Sequence, residues 1–152
     1  MKKNFFRVAA FSALLALGVS GLQAQTRNYD CPPLNPEYKD QAEQVVNLQM
    51  DDPDKAGKVY MALEKKIKKS KEDLVAVGTF FLENNELQGA SQCAKLVYAL
   101  DPTYVPGLMF SAEVFMKFQK WGEAGARYDE VLANDPNNVG AMKRNAFVYK
   151  NI

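Results

Sequence analysis

From residue 37 to the end of the chain, apolar residues recur every three or four positions, the spacing of a single buried helix face. Tyr38, Ala42, Val45 and Val46 form one such face over about Glu37 to Gln49, and Ala56, Tyr60, Leu63 and Ile67 form the next. Leu74, Gly78, Phe81 and Leu82 follow, then the turn "ENNELQG", then Ala90, Ala94, Val97 and Tyr98. A further helix is predicted over about Pro106 to Phe118, with Trp121 and Gly122 marking a turn. The helix after it spans about Glu123 to Asn134 and carries Ala124, Tyr128, Val131 and Leu132 on one face. Asp135-Pro136-Asn137-Asn138 stops it, and a last helix begins in "VGAMKRNAFVYKNI". The pattern predicts an all-α fold.

Start and stop signals fall where the periodicity puts helix ends. Ser70 stands three residues before Asp73, an arrangement that satisfies free amide donors at a helix start. In "DDPD", Asp52 is the expected cap and Pro53 the first-turn residue. These clustered carboxylates lack the spacing of a calcium loop, so no metal site is expected there. Pro102 and Pro136 lack the amide hydrogen a continuing helix needs, so each marks an end.

Two Asp-Pro pairs, Asp101-Pro102 and Asp135-Pro136, define an offset at which the chain matches itself. At that offset Leu74 meets Leu108, Phe81 meets Phe115, Ala90 meets Ala124, Val97 meets Val131 and Ala99 meets Ala133. Gly78 meets Ala112, both small, and Leu82 meets Met116, both apolar. Matches that fall mostly at apolar and small positions are those a packing repeat requires. The chain resembles the tetratricopeptide repeat family, whose helix-turn-helix unit has this same length. Counted from Val105, Leu108 takes the family's large apolar position and Ala112 its small one. Phe115 and Trp121 take aromatic places, Ala124 and Tyr128 the small and aromatic places of the second helix, and Pro136 the terminal proline. The unit from Lys71 matches through Leu74, Gly78, Phe81, Ala90 and Pro102, and departs at Ala94 and Val97. Upstream the pattern weakens, since Gln44 stands where a small residue is usual.

The resemblance implies a helix-turn-helix solenoid over residues 37–152. It is divided into a degenerate repeat at 37–70, repeats at 71–104 and 105–138, and a final helix at 139–152. In that last helix Met142, Ala146 and Tyr149 fall on large, small and aromatic positions. It reads either as a capping helix or as the first helix of a further repeat in a longer scaffold, and its apolar surplus favours the second. The family's first helices line a concave face. On this chain that face is expected to hold Val75, Thr79 and Leu82, then Met109, Phe110, Glu113, Met116 and Lys117, then Lys143, Arg144 and Phe147. Methionine and aromatic side chains would give adaptable apolar contact to a partner peptide or protein, and the basic residues would select charge.

The first residues carry a different pattern. Lys2, Lys3 and Arg7 precede an apolar run from Val8 to Val19 and a short polar-small tail, the order of a secretory signal peptide. Residues 1–24 are assigned to it, with cleavage after Ala24, and residues 25–36 to an N-terminal arm. The apolar run is too short to span a bilayer, so no stable membrane span is expected after cleavage. The start looks bacterial, which predicts a periplasmic or otherwise extracytoplasmic protein. Export permits a disulfide between Cys31 and Cys93, against the alternative of two thiols with Cys93 as a small apolar helix residue.

Composition adds limits. The 152 residues are 47% hydrophobic and 24% charged, a globular balance, with a net charge of +1 that makes no case for nucleic acid. There is no histidine, which removes the commonest general base and metal ligand. With no glycine-rich phosphate loop either, the chain is expected to be a non-enzymatic binding module without cofactor or metal. The basic run "EKKIKKSK", residues 64–71, reads as a solvated helix end offset by Glu72 and Asp73.

Overall fold

The computed structural model describes residues 29–152, and the expected signal peptide lies outside them. Among the described residues there are seven helices and no strands. They are α1 (Pro36–Leu48), α2 (Pro53–Ile67), α3 (Lys71–Glu83), α4 (Leu87–Leu100), α5 (Val105–Lys117), α6 (Trp121–Asn134) and α7 (Val139–Lys150). The starts of α3, α5 and α7 are evenly spaced along the chain, and those of α2, α4 and α6 repeat at the same interval.

The caps explain several of these starts. The Asn35, Asp52, Ser70, Glu86 and Asn138 side chains each accept a backbone N–H in the first turn of the helix they precede. Asp52 accepts from Lys55 N at 3.0 Å as the cap of α2, and Asp54 adds a negative charge to its first turn. Lys65 and Lys66 lie exposed in the last turn of α2, while Ile67 between the lysine pairs is buried in the core.

The turns inside the helix pairs are one device used twice. Asn85 and Gln119, separated by that same interval, are the two non-glycine residues with positive φ among those described, at 58° and 56°. In the first turn the Glu86 N–H reaches Phe81 O at 2.8 Å and Asn85 N–H reaches Leu82 O at 3.2 Å. In the second, Lys120 N–H reaches Phe115 O at 2.9 Å and Gln119 N–H reaches Met116 O at 3.0 Å. These bonds satisfy the last carbonyls of α3 and α5. They also correct one expectation. The turn is complete by Lys120, so Trp121 is the first residue of α6 rather than part of the turn.

Each helix packs on its neighbour in sequence, and α3 also touches both α1 and α5, so these three share one side. Two buried clusters result. One joins Ala42, Leu63, Ile67, Leu74, Phe81, Val97 and Phe110, and the other joins Leu108, Ala112, Ala124, Tyr128, Val131 and Val148. Small residues allow the close approach. A methyl group at Gly78 would sit 2.8 Å from Cys93 Cβ and 2.8 Å from Phe110 Cε1. Contact between α2 and α3 is sparse by comparison.

Candidate functional site

The residues expected to line one face divide into two groups. Val75, Leu82, Met109 and Phe110 are buried within the core clusters. They are packed inside the fold and not open at its surface, which corrects the expectation of an exposed position for these four. Burial runs all the way round α3 from Leu74 to Thr79 and round α5 from Gly107 to Ala112, so no side of these stretches is open. Phe110 is clearest, because its ring fills the space that Gly78 leaves open.

Thr79, Glu113, Met116, Lys117, Lys143, Arg144 and Phe147 form the second group, and the structure links several of them. The Arg144 guanidinium of α7 donates from Nε to Glu113 Oε1 of α5 at 3.1 Å. Tyr128 Oη of α6 donates to the same oxygen at 2.9 Å. Burial, then the nearby Glu113 carboxylate, pushes the Tyr128 hydroxyl pKa well above its ordinary value. Tyr128 therefore stays a neutral donor. Met116 is half-buried, and Lys117 and Lys143 are exposed. Phe147 meets Trp121 edge to face, with ring centroids 6.2 Å apart, and remains half exposed.

Thr79 is a buried polar side chain on a helix whose other buried residues are apolar or glycine. Its hydroxyl lies 2.8 Å from the hydroxyl of Tyr29, in the N-terminal arm. Tyr29 packs against both core clusters, and Cys31 and Leu34 pack against the first. Tyr29 lies within the field of Tyr128, and Cys31 within that of Tyr104 at the start of α5. The arm thus runs from the start of α1 across α3 and α5. Sequence reading missed Tyr29 as a site residue, because nothing local says where an arm outside the helical pattern will lie.

The arm bears on the cysteines as well. No disulfide joins Cys31 to Cys93. The Cys31 thiol donates to Pro32 O at 3.3 Å. Cys93 is fully buried against Gly78, and burial pushes its thiol up to about 12, so it packs as a small apolar residue.

A separate depression of about 960 Å3 opens between α2 and the start of α4, lined by Met50, Tyr60, Met61, Glu64, Glu86 and Gln92 among others. Glu86 is buried there, and burial raises its carboxyl pKa against the backbone donors of Gly89 and Gln88. That hydrogen bonding caps α4, which accounts for the buried carboxylate without a ligand.

Among the described residues, no group of three or more metal-ligating side chains converges, and no helix is long and apolar enough to cross a membrane. Neither protein-family models nor curated protein sequences give a match to this chain.

Proposed function

We propose that the chain is an exported, non-enzymatic interaction module of tetratricopeptide-repeat type that holds an extended segment of a partner protein on the face of α3, α5 and α7. The observation that carries this reading is the Glu113–Arg144 pair, which joins α5 to α7 on the face to which α3 is taken to contribute Thr79. These residues come from three alternate helices, and Glu113 and Arg144 are paired across them. Alternate helices that share a face present a long, shallow surface, suited to an extended chain rather than to a small molecule. The even recurrence of helix starts, and of the Asn85 and Gln119 turns at the same interval, supports the repeat reading.

In-cell photocrosslinking tests it. A crosslinker at Lys117 or Lys143, both exposed on this face, should capture one defined envelope protein. The same group at Lys95 or Ala126, exposed on α4 and α6, should not. Equal capture from all four positions, or none from any, would rule the reading out.

A scaffold role is the second reading. Met142 and Tyr149, on the large and aromatic positions of α7, are 46% and 59% exposed, leaving an apolar side that a further helix could cover. Mass measurements over a concentration series, with and without Met142→Glu, separate an assembling scaffold from a monomeric module.

A further inference from the structure

The face proposed above as a partner site already carries a peptide, the chain's own arm. We propose that its ligand is an extended, tyrosine-bearing and proline-containing segment of a partner, and that residues 29–34 are an internal counterpart that must leave before the partner binds. The inference rests on the interaction-module reading and adds the ligand's chemistry and its control.

The sequence of the arm is Tyr29-Asp30-Cys31-Pro32-Pro33-Leu34. Pro32 and Pro33 fix φ and lack amide hydrogens, so this stretch is held extended and outside any helix. Asn35 continues it in an extended conformation, with φ −62° and ψ 126°, before α1 starts. A segment stiffened in this way loses little freedom on docking. Its apolar side chains, Tyr29 and Leu34, contact the core. Asp30 and Pro33 are exposed. That division is how an extended ligand sits on a surface, with anchors inward and spacers outward.

The tyrosine anchor is matched on both its parts. Its ring packs where the two buried clusters meet, and its hydroxyl reaches Thr79, which is 2% exposed. A phenylalanine would fill the same space and leave the buried Thr79 hydroxyl without this partner, so the site discriminates tyrosine from phenylalanine. Tyr29 also adds to the field that raises the Tyr128 hydroxyl pKa, and Tyr128 in turn donates to Glu113. The arm joins α1 directly, which gives it an effective concentration on the order of millimolar at the face. A partner segment therefore meets a filled site and competes for it.

The test uses the full mature chain and a fluorescent peptide that copies residues 29–34, with serine in place of Cys31. Binding is measured to the wild type, to Tyr29→Phe, and to the double variant Tyr29→Ala with Leu34→Ala. The double variant should bind about tenfold tighter than the wild type, and Tyr29→Phe by an intermediate factor. A peptide with phenylalanine for tyrosine should bind about tenfold more weakly, and Thr79→Val should abolish that preference. Equal peptide affinity across the three proteins overturns the proposal, as does absence of binding by Tyr29→Phe, which keeps the ring and its packing. Crosslinking at Lys117 and Lys143 reads the parent proposal separately. A captured partner without tyrosine preference sinks only the arm inference, whereas no captured partner sinks the module.

Discussion

Phe110 of α5 lies against the bare backbone of Gly78 in α3, and a methyl group at 78 would press on both that ring and Cys93 of α4. Three helices meet at this one glycine, and the Phe110 and Cys93 side chains are fully buried. Gly78→Ala should therefore destabilise the fold by about 1–3 kcal/mol, although alanine is the better helix former. Ala124→Leu should cost a similar amount, about 1–3 kcal/mol, at its buried place on α6. Urea unfolding curves measure both, and an unchanged midpoint for Gly78→Ala would contradict the packing described.

The two left-handed turn residues offer the opposite sign. Gln119 holds φ 56° with a side chain that disfavours it, and Asn85 holds φ 58° with one that tolerates it better. Gln119→Gly should stabilise by about 0.5–1 kcal/mol, and Asn85→Gly by less. Thermal melts of the two variants rank them directly.

Arg127 stacks on the Tyr98 ring, 3.8 Å from its centroid, while its Nη1 donates to Glu130 at 2.9 Å. The contact ties α6 to α4. Arg127→Lys keeps the charge and loses the planar stack, at a cost of about 0.5–1 kcal/mol. Adding Tyr98→Leu should remove most of that difference, a double-mutant cycle that a purely ionic role would leave unchanged.

Asp101 gives the chain an acid-sensitive joint. Its carboxylate accepts from Lys71 Nζ at 2.6 Å and from the Thr103 hydroxyl and amide, and these hydrogen bonds lower its pKa from 3.8 to about 2. Because the folded value lies below the unfolded one, the ionised group favours the folded state above about pH 4. That contribution is lost as pH falls toward 2. Asp101→Asn should flatten this part of the stability profile, measured as urea midpoints between about pH 5 and pH 2.5.

The cysteines should behave unequally toward an alkylating reagent. Cys93 is buried, with its thiol pKa at about 12, so it should stay unmodified in the folded chain and react once urea is added. Folded chain incubated with oxidised glutathione should carry no bridge between the two cysteines. A mass two hydrogens lighter would show a bridge that this fold does not contain.

Helix placement followed from local chemistry. Periodic apolar faces, capping residues such as Ser70 and Asp52, and the prolines at 102 and 136 act within a few residues of where they stand. Local chemistry was therefore enough to place helix ends to within about three residues, the widest miss being α4, which starts at Leu87 inside the stretch read as a turn. The small and aromatic positions were legible too, since Gly78, Ala124 and Tyr128 lie buried where the repeat pattern put them. The start of α6 was not legible, because Gln119 is an unexpected residue for a left-handed turn and Trp121 imitated a turn marker.

How much of each helix is covered depends on long-range packing. Burial all round α5 from Gly107 to Ala112 took Met109 and Phe110 from an expected binding face into the core. Long-range packing also decided where the arm goes. Residues 29–34 carry no periodic pattern, and their place depends on contacts with α3 and α5, far along the chain. Helix formation is written in nearest neighbours, whereas the choice of what covers Thr79 is made by distant ones.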